Sequence, residues 1–391
     1  METPYYLYDM NLLESTLTQA QTAADLYNMK LMYAIKANTN KRVLEKIKSY
    51  GFGIDAVSIG EIELAIECGF LPNQIVFAGS GKTKREISRA LEYGIAVLHC
   101  ESIQEWDYIS SIYTNDCPTQ IALRINPNVS VDTHANIQTG GENHKFGVSI
   151  REAHDLIERL LQENASLLPC GFHFHVGSQI TQMDFFEDMS IAVNRFLSSL
   201  PSNFEFNYLN LGGGLGINYN DPETDCMPNF VGWMRAIRPH FSTERFPVIH
   251  LEPGRSLVGQ SGKIIAEVLY VKDRPGEKIA ILDAGMNDLM RPALYEARHL
   301  VTIHQAISHN QTIENYTVAG PSCESTDTFG KNFRLPVLQT GEQVAIHSCG
   351  AYAESMRLDY NQRGKAACVY LETPAVNYVG KESSVEMVNA E

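Results

Sequence analysis

The sequence predicts a (β/α)8 barrel followed by a mostly antiparallel β domain. Three observations point to it. Between residues 30 and 254, eight short apolar runs alternate with helical patterns. After residue 254, short β-like runs follow one another without helices of comparable length. The N-terminal "YYLYD" reads as one more strand, ahead of a helical pattern over 11–28. The expected layout is a barrel over 26–254 and a second domain built from 1–25 and 255–391, a chain that starts and ends in the same domain.

The barrel runs are "LMYAIK" (31–36), "GIDAV" (53–57), "QIVFAG" (74–79), "IAVLHC" (95–100), "QIALRIN" (120–126), "CGFHFHV" (170–176), "NYLNLGG" (207–213) and "PVIHLEP" (247–253). Their near-continuous apolar character is that of parallel strands covered on both faces. Between them, patterns such as "KTKREISRALEYG" and "DFFEDMSIAVNRFLSSL" space apolar residues three and four apart, as amphipathic helices do. The longest interruption, 127–150, reads as a polar loop containing "HKFG". The later runs "GKIIAEVLYVKD", "EKIAILDAG", "NYTVAG", "EQVAIHSCG" and "AACVYLE" supply the β domain.

Composition excludes several functions. The net charge of −15, with no Lys/Arg-rich block, argues against a nucleic-acid partner. No apolar run approaches bilayer length, and "METPYYLYDM" lacks the basic start and apolar core of a signal peptide, so a cytoplasmic location is expected. The eight cysteines form no C-x-x-C pair, which argues against a zinc site or a disulfide scaffold.

In such barrels the chemistry sits at the C-terminal ends of the strands. Those ends carry Lys36, Asp55, Arg124 and His175, then "GGGLG" (212–216) after the seventh strand and "EPGR" (252–255) after the eighth. A lysine at a strand end ordinarily reaches into water. Here Gly212, Gly213 and Gly214 follow the strand where this fold most often binds phosphate. Glu252 ends an apolar strand, where a carboxylate needs a cationic partner. Lysine, phosphate cradle and buried acid are the three contacts that pyridoxal 5'-phosphate demands. The H-x-H pair His173 and His175 can ligate metal, but no further set at the strand ends completes a site, so no metal is expected.

Taken together, "YAIKAN", "HFHVGSQ", "LGGGLG", "LEPGRSLV", "DAGMNDLMRPALYEA", "GPSCESTD" and "GAYAESM" resemble the fold type III, alanine-racemase-like pyridoxal-phosphate decarboxylases over essentially the whole chain. By that resemblance Lys36 bonds the cofactor, Glu252 pairs with its pyridine nitrogen and His175 stacks on its ring. Ser178, Gly213, Gly214, Gly254 and Arg255 surround its phosphate, and Tyr352 closes over it. Cys323 and Glu324 come from the partner subunit of a homodimer, with Cys323 placed to return a proton to Cα. The implied reaction is decarboxylation of meso-2,6-diaminopimelate to L-lysine and CO2, the last step of lysine biosynthesis. Arg255, Arg291, Tyr295, Glu324 and Tyr352 are the residues expected to meet the substrate, the arginines taking its distal carboxylate. Ornithine, lysine, arginine or carboxynorspermidine remain alternative substrates on the same fold. A non-catalytic cofactor carrier and a metal-dependent barrel hydrolase are the readings of other classes.

Overall fold

The computed structural model describes residues 1–127, 145–306 and 312–372 and the backbone of 385–388. Strand β1 (Tyr5–Asp9) and helix α1 (Met10–Tyr27) come first. Then follow strands β2 (Met29–Ala34), β3 (Gly53–Ala56), β4 (Ile75–Phe77), β5 (Val97–Cys100) and β6 (Gln120–Asn126). After a two-residue strand, β7 (Val148–Ser149), come β8 (Gly171–Phe174), β9 (Tyr208–Asn210) and β10 (Ile249–Leu251). All of these but β1 and β7 pair in parallel around a ring, with β5 on β6 and β10 on β2, so the barrel has no open edge. Every residue of β3, β4, β5, β8 and β9 is buried, as expected of strands covered on both faces.

Seven helices follow the strands: α2 (Lys41–Ser49), α3 (Ile59–Glu67), α4 (Lys84–Tyr93), α5 (Ile103–Ile112), α6 (Ile150–Gln162), α7 (Met183–Ser198) and α8 (Phe230–Ile237). Four begin alike: Ser58, Thr83, Ser102 and Ser149 each accept the N–H of a glutamate three residues on. Each such cap contributes about 1 kcal/mol and fixes where the strand-to-helix loop ends. The eighth helix position is filled from the N-terminus. Helix α1 packs on α8 and β2, and its Glu14 meets Lys46 of α2 at 3.3 Å. We therefore propose that the boundary between the domains falls after β1 rather than at residue 25.

The second sheet has the order β15-β14-β12-β11-β1-β17-β18, with β16 on β11 and β13 on β16. Its strands are β11 (Gly262–Arg274), β12 (Glu277–Leu282), β13 (Val301–Gln305), β14 (Ile313–Ala319), β15 (Thr328–Pro336), β16 (Gln343–Ile346), β17 (Ala367–Leu371) and β18 (Val385–Val388). Strand β1 lies antiparallel to β11 and parallel to β17, so the N-terminal strand does join this sheet. Strands β13 and β15 were not expected; "VTIHQ" and "TFGKNFRLP" mix charge and polarity too freely to show a clear alternation. Two short helices, α9 (Arg255–Val258) and α10 (Arg291–Tyr295), also interrupt the expected β-only region. Of the loop expected over 127–150, residues 128–144 lie outside the described residues, and 148–149 pair with β6. No helix among the described residues is long and apolar enough to cross a membrane.

Candidate active site

The strand ends of the barrel, α9, α10 and Tyr352 enclose a cavity of about 380 Å³. Lys36, His175, Ser178, Gly214, Glu252, Gly254, Arg255, Arg291, Tyr295 and Tyr352 all line it. Asp55, Arg124 and His173 line it as well.

Lys36 is not the last residue of a strand. Strand β2 ends at Ala34, and Ile35–Ala37 form a single 3₁₀ turn. The chain leaves the sheet here because it is tied to the other domain: Ala37 O accepts Tyr352 N–H at 2.8 Å, and Asn38 donates to Gly350 O at 2.9 Å. The Lys36 ammonium then lies 3.6 Å from Asp55, whose carboxylate is buried. Burial works against the Lys36 charge, but Asp55, Tyr352 and Glu252 outweigh it and the net shift is upward. Asp55 itself is pushed up to about 7, chiefly by burial, with Glu252 adding to it. Its Oδ1 has no hydrogen-bond partner among the described residues.

Glu252 directly follows β10 and is 3% exposed. Within the chain, two neutral side chains hold it. Asn210 Nδ2 donates to Oε1 at 2.8 Å, and His173 Nε2 lies 3.1 Å from Oε2. Burial holds the His173 pKa well below its ordinary value, so the ring is neutral, and toward the ionised carboxylate its Nε2 is the donor. Beneath it, His99 stacks on His173 with ring centroids 4.1 Å apart, and Tyr208 bridges Asn210 to His99 Nε2. His99 was missed by the sequence reading; its signal was a histidine inside the apolar strand "VLHC". His99, His173 and Glu252 are the one group among the described residues whose ligand atoms could converge on a metal ion. Hydrogen bonds employ the carboxylate oxygens instead. Burial pushes Glu252 up to about 7.

His175 lies just past β8, and Gly213 N–H donates to its Nδ1 at 3.2 Å. That bond requires an acceptor at Nδ1, so the neutral ring carries its proton on Nε2. Gly213 thus stands against His175, next to Gly214 of the cavity wall. A β-carbon on Gly213 would collide with Glu252 O, and Gly214 adopts a φ of +113° that disfavours side chains. Ser178 and Arg255 are joined, the guanidinium donating to Ser178 Oγ at 3.1 Å. Arg255 Nε is buried with no partner among the described residues.

Cys323 and Glu324 do not line this cavity. Cys323 is exposed, its N–H donating weakly to Asn361 Oδ1 at 3.4 Å, and Glu324 accepts from the Tyr360 hydroxyl at 2.6 Å. All eight cysteines are free, and Cys323 is the exposed one.

The residues present fit pyridoxal phosphate. A lysine and a buried acid face the same cavity, a neutral imidazole lines it, and an arginine with an orphaned buried N–H stands beside glycine-rich turns. A family model described as "Pyridoxal-dependent decarboxylase, pyridoxal binding domain" matches residues 11–259. The chain therefore belongs to the pyridoxal-dependent decarboxylases. It is 41% identical to the diaminopimelate decarboxylase of Bacteroides thetaiotaomicron, over 93% of this chain and 94% of that one. It is 36% identical to that of Helicobacter pylori, over 98% and 94%. A crystal structure of the Helicobacter pylori enzyme complexed with L-lysine superposes with a TM-score of 0.87 at 35% identity, over 98% of this chain and 93% of that one. Within its family, the chain belongs with the diaminopimelate decarboxylases.

Proposed function

We infer that this chain catalyses the pyridoxal-phosphate-dependent decarboxylation of meso-2,6-diaminopimelate to L-lysine and CO2, the last step of lysine biosynthesis. The observation that carries the substrate is a pair of buried arginines. Arg255 is 6% and Arg291 5% exposed, and their hydrogen-bond partners are neutral: Tyr219 and Ser178 for one, His299 for the other. Two desolvated cations with no acid paired to them among the described residues call for an anionic ligand, which the distal carboxylate of diaminopimelate supplies and ornithine or lysine as substrates do not.

When bound, the cofactor accepts the electron pair that departing CO2 leaves on Cα. Lys36 is the amine that bonds its aldehyde, and Asp55 keeps that amine oriented in the free protein. Glu252, fixed by Asn210 and His173, pairs with the ring nitrogen and favours its protonated form. His175, held by Gly213, supports the ring face. Ser178, Gly214, Gly254 and Arg255 take the phosphate side, and Tyr352 covers the cavity mouth. Arg291 and Tyr295 orient the distal end of the substrate. The remaining roles need a second copy of the chain. Cys323 and Glu324 stand on the surface, outside their own cavity, which supports a homodimer in which each copy supplies Cys323 as proton donor to Cα and Glu324 to the distal ammonium of the other's substrate.

The test is CO2 release from meso-diaminopimelate, lysine, ornithine and arginine side by side, with wild type and Arg291→Lys. Wild type is expected to act on diaminopimelate with large preference. Losing the fixed guanidinium should lower kcat/KM about ten- to a hundred-fold. Equal wild-type turnover of lysine or ornithine would give the function to the alternative substrates.

A further inference from the structure

Arg291 opens helix α10, and the turn after that helix carries His299, which is fully buried. The two side chains meet, with Arg291 Nη1 2.7 Å from His299 Nε2. The other ring nitrogen, Nδ1, lies 2.8 Å from His347 O. A carbonyl only accepts and a guanidinium only donates, so the tautomer is fixed: the proton is on Nδ1 and Nε2 is a bare lone pair. Burial, with Arg291 beside it, lowers the His299 pKa to about 3, so this neutral state holds at any working pH.

The chemical choice at this position is specific. Asp or Glu would anchor a buried guanidinium more strongly but would cancel its charge. A neutral imidazole anchors it and leaves the charge intact. The same pattern recurs on the second arginine. The Tyr219 hydroxyl accepts from Arg255, and the Tyr219 ring lies under Arg291, its centroid 4.6 Å from Cζ. The Tyr219 ring also meets His299 edge-on at 5.0 Å. Thus, among the described residues, two like charges are held at one cavity by neutral groups, and Arg255 Nε is buried without a partner.

We propose that His299 is a positioning residue for substrate selection, a neutral acceptor that fixes the Arg291 guanidinium while leaving its charge for the distal carboxylate. This rests on the arginine reading above. It has a consequence for product as well as substrate. Decarboxylation removes one carboxyl group, so L-lysine keeps the distal one and cadaverine does not. Inhibition by L-lysine should therefore depend on His299, and inhibition by cadaverine should not.

The experiment uses holoenzyme with Arg291→Lys, His299→Leu and His299→Gln; glutamine can offer an oxygen where Nε2 stands. His299→Leu is expected to raise KM for diaminopimelate and the inhibition constant of L-lysine about ten-fold, with kcat, the visible cofactor band and cadaverine inhibition preserved. His299→Gln should restore both constants to within about three-fold of wild type, since it returns an acceptor. A folded, loaded His299→Leu protein with wild-type constants, or with kcat and both inhibitors affected alike, overturns the inference. If His299→Leu does not fold, His299→Asn replaces it, since its side chain can reach His347 O but falls short of Arg291. Arg291→Lys separates the two levels. If it leaves the preference for L-lysine over cadaverine intact, the arginine reading itself is wrong; if it abolishes that preference while His299→Leu does not, only the role of His299 is lost.

Discussion

At Glu252 a carboxyl group is taken out of water and given two neutral donors, Asn210 and His173. That is too little to keep it fully ionised, and its pKa rises from 4.5 to about 7. A titration of the cofactor-free protein follows from the sign. Below pH 4.5 the group is protonated in both folded and unfolded chains, and above about 7 in neither. Between those limits the folded chain keeps a proton that the unfolded chain releases, so stability falls as pH rises. Asp55 acts in the same direction. Glu252→Gln should therefore lose less stability than wild type between about pH 5 and pH 7.5, measured by thermal unfolding of the two apoproteins. Adding cofactor to wild type should have the same effect, because a protonated ring nitrogen stabilises the carboxylate. Parallel slopes in all three samples would mean that Glu252 does not titrate there.

Among the elements, the loop between β14 and β15 carries Cys323 and Glu324 and is held from within by Asp327. Its carboxylate is 4% exposed and accepts the N–H groups of Met286 and Ser322, each at 2.6 Å. Neither Gly285 nor Gly320 has room for a β-carbon beside it. One side chain thus ties the loop after β12 to the loop bearing the proposed proton donor. Asp327→Ala leaves both N–H groups without their acceptor in a half-buried setting. The cost should be about 2–4 kcal/mol, read as a lower urea midpoint at unchanged slope. Activity should fall further than stability accounts for, because Cys323 loses its fixed position. A variant within about 0.5 kcal/mol of wild type would show that the loop is held by other contacts, such as Arg363 to Pro321 O at 2.8 Å.

For the whole molecule, the question is whether one chain is enough. The cavity gathers Lys36, Glu252, Arg255 and Arg291 from a single chain, yet Cys323 and Glu324 face outward. If two copies share each site, Lys36→Ala and Cys323→Ala proteins should each be nearly inactive. Mixing them under subunit exchange should recover activity, because a mixed dimer keeps one site with both residues intact. No recovery despite demonstrated exchange would show that each chain completes its own site.

Sequence alone determined the barrel, because eight apolar runs with helices between them leave few other ways to bury both faces of a parallel sheet. It also determined the cofactor, since lysine, glycine turns and buried acid fall at the ends of successive strands. The strand leading to Lys36 ends two residues before its apolar run does, because the hydrogen bonds that end it involve Tyr352 and Gly350, more than three hundred residues away. Local pattern carries no trace of such partners. For the same reason only the tertiary structure decided that α1 completes the barrel, that His99 and Asn210 support Glu252, and that His299 anchors Arg291. Each depends on pairing between distant segments, where burial and hydrogen-bond geometry, rather than residue type, set what a side chain does.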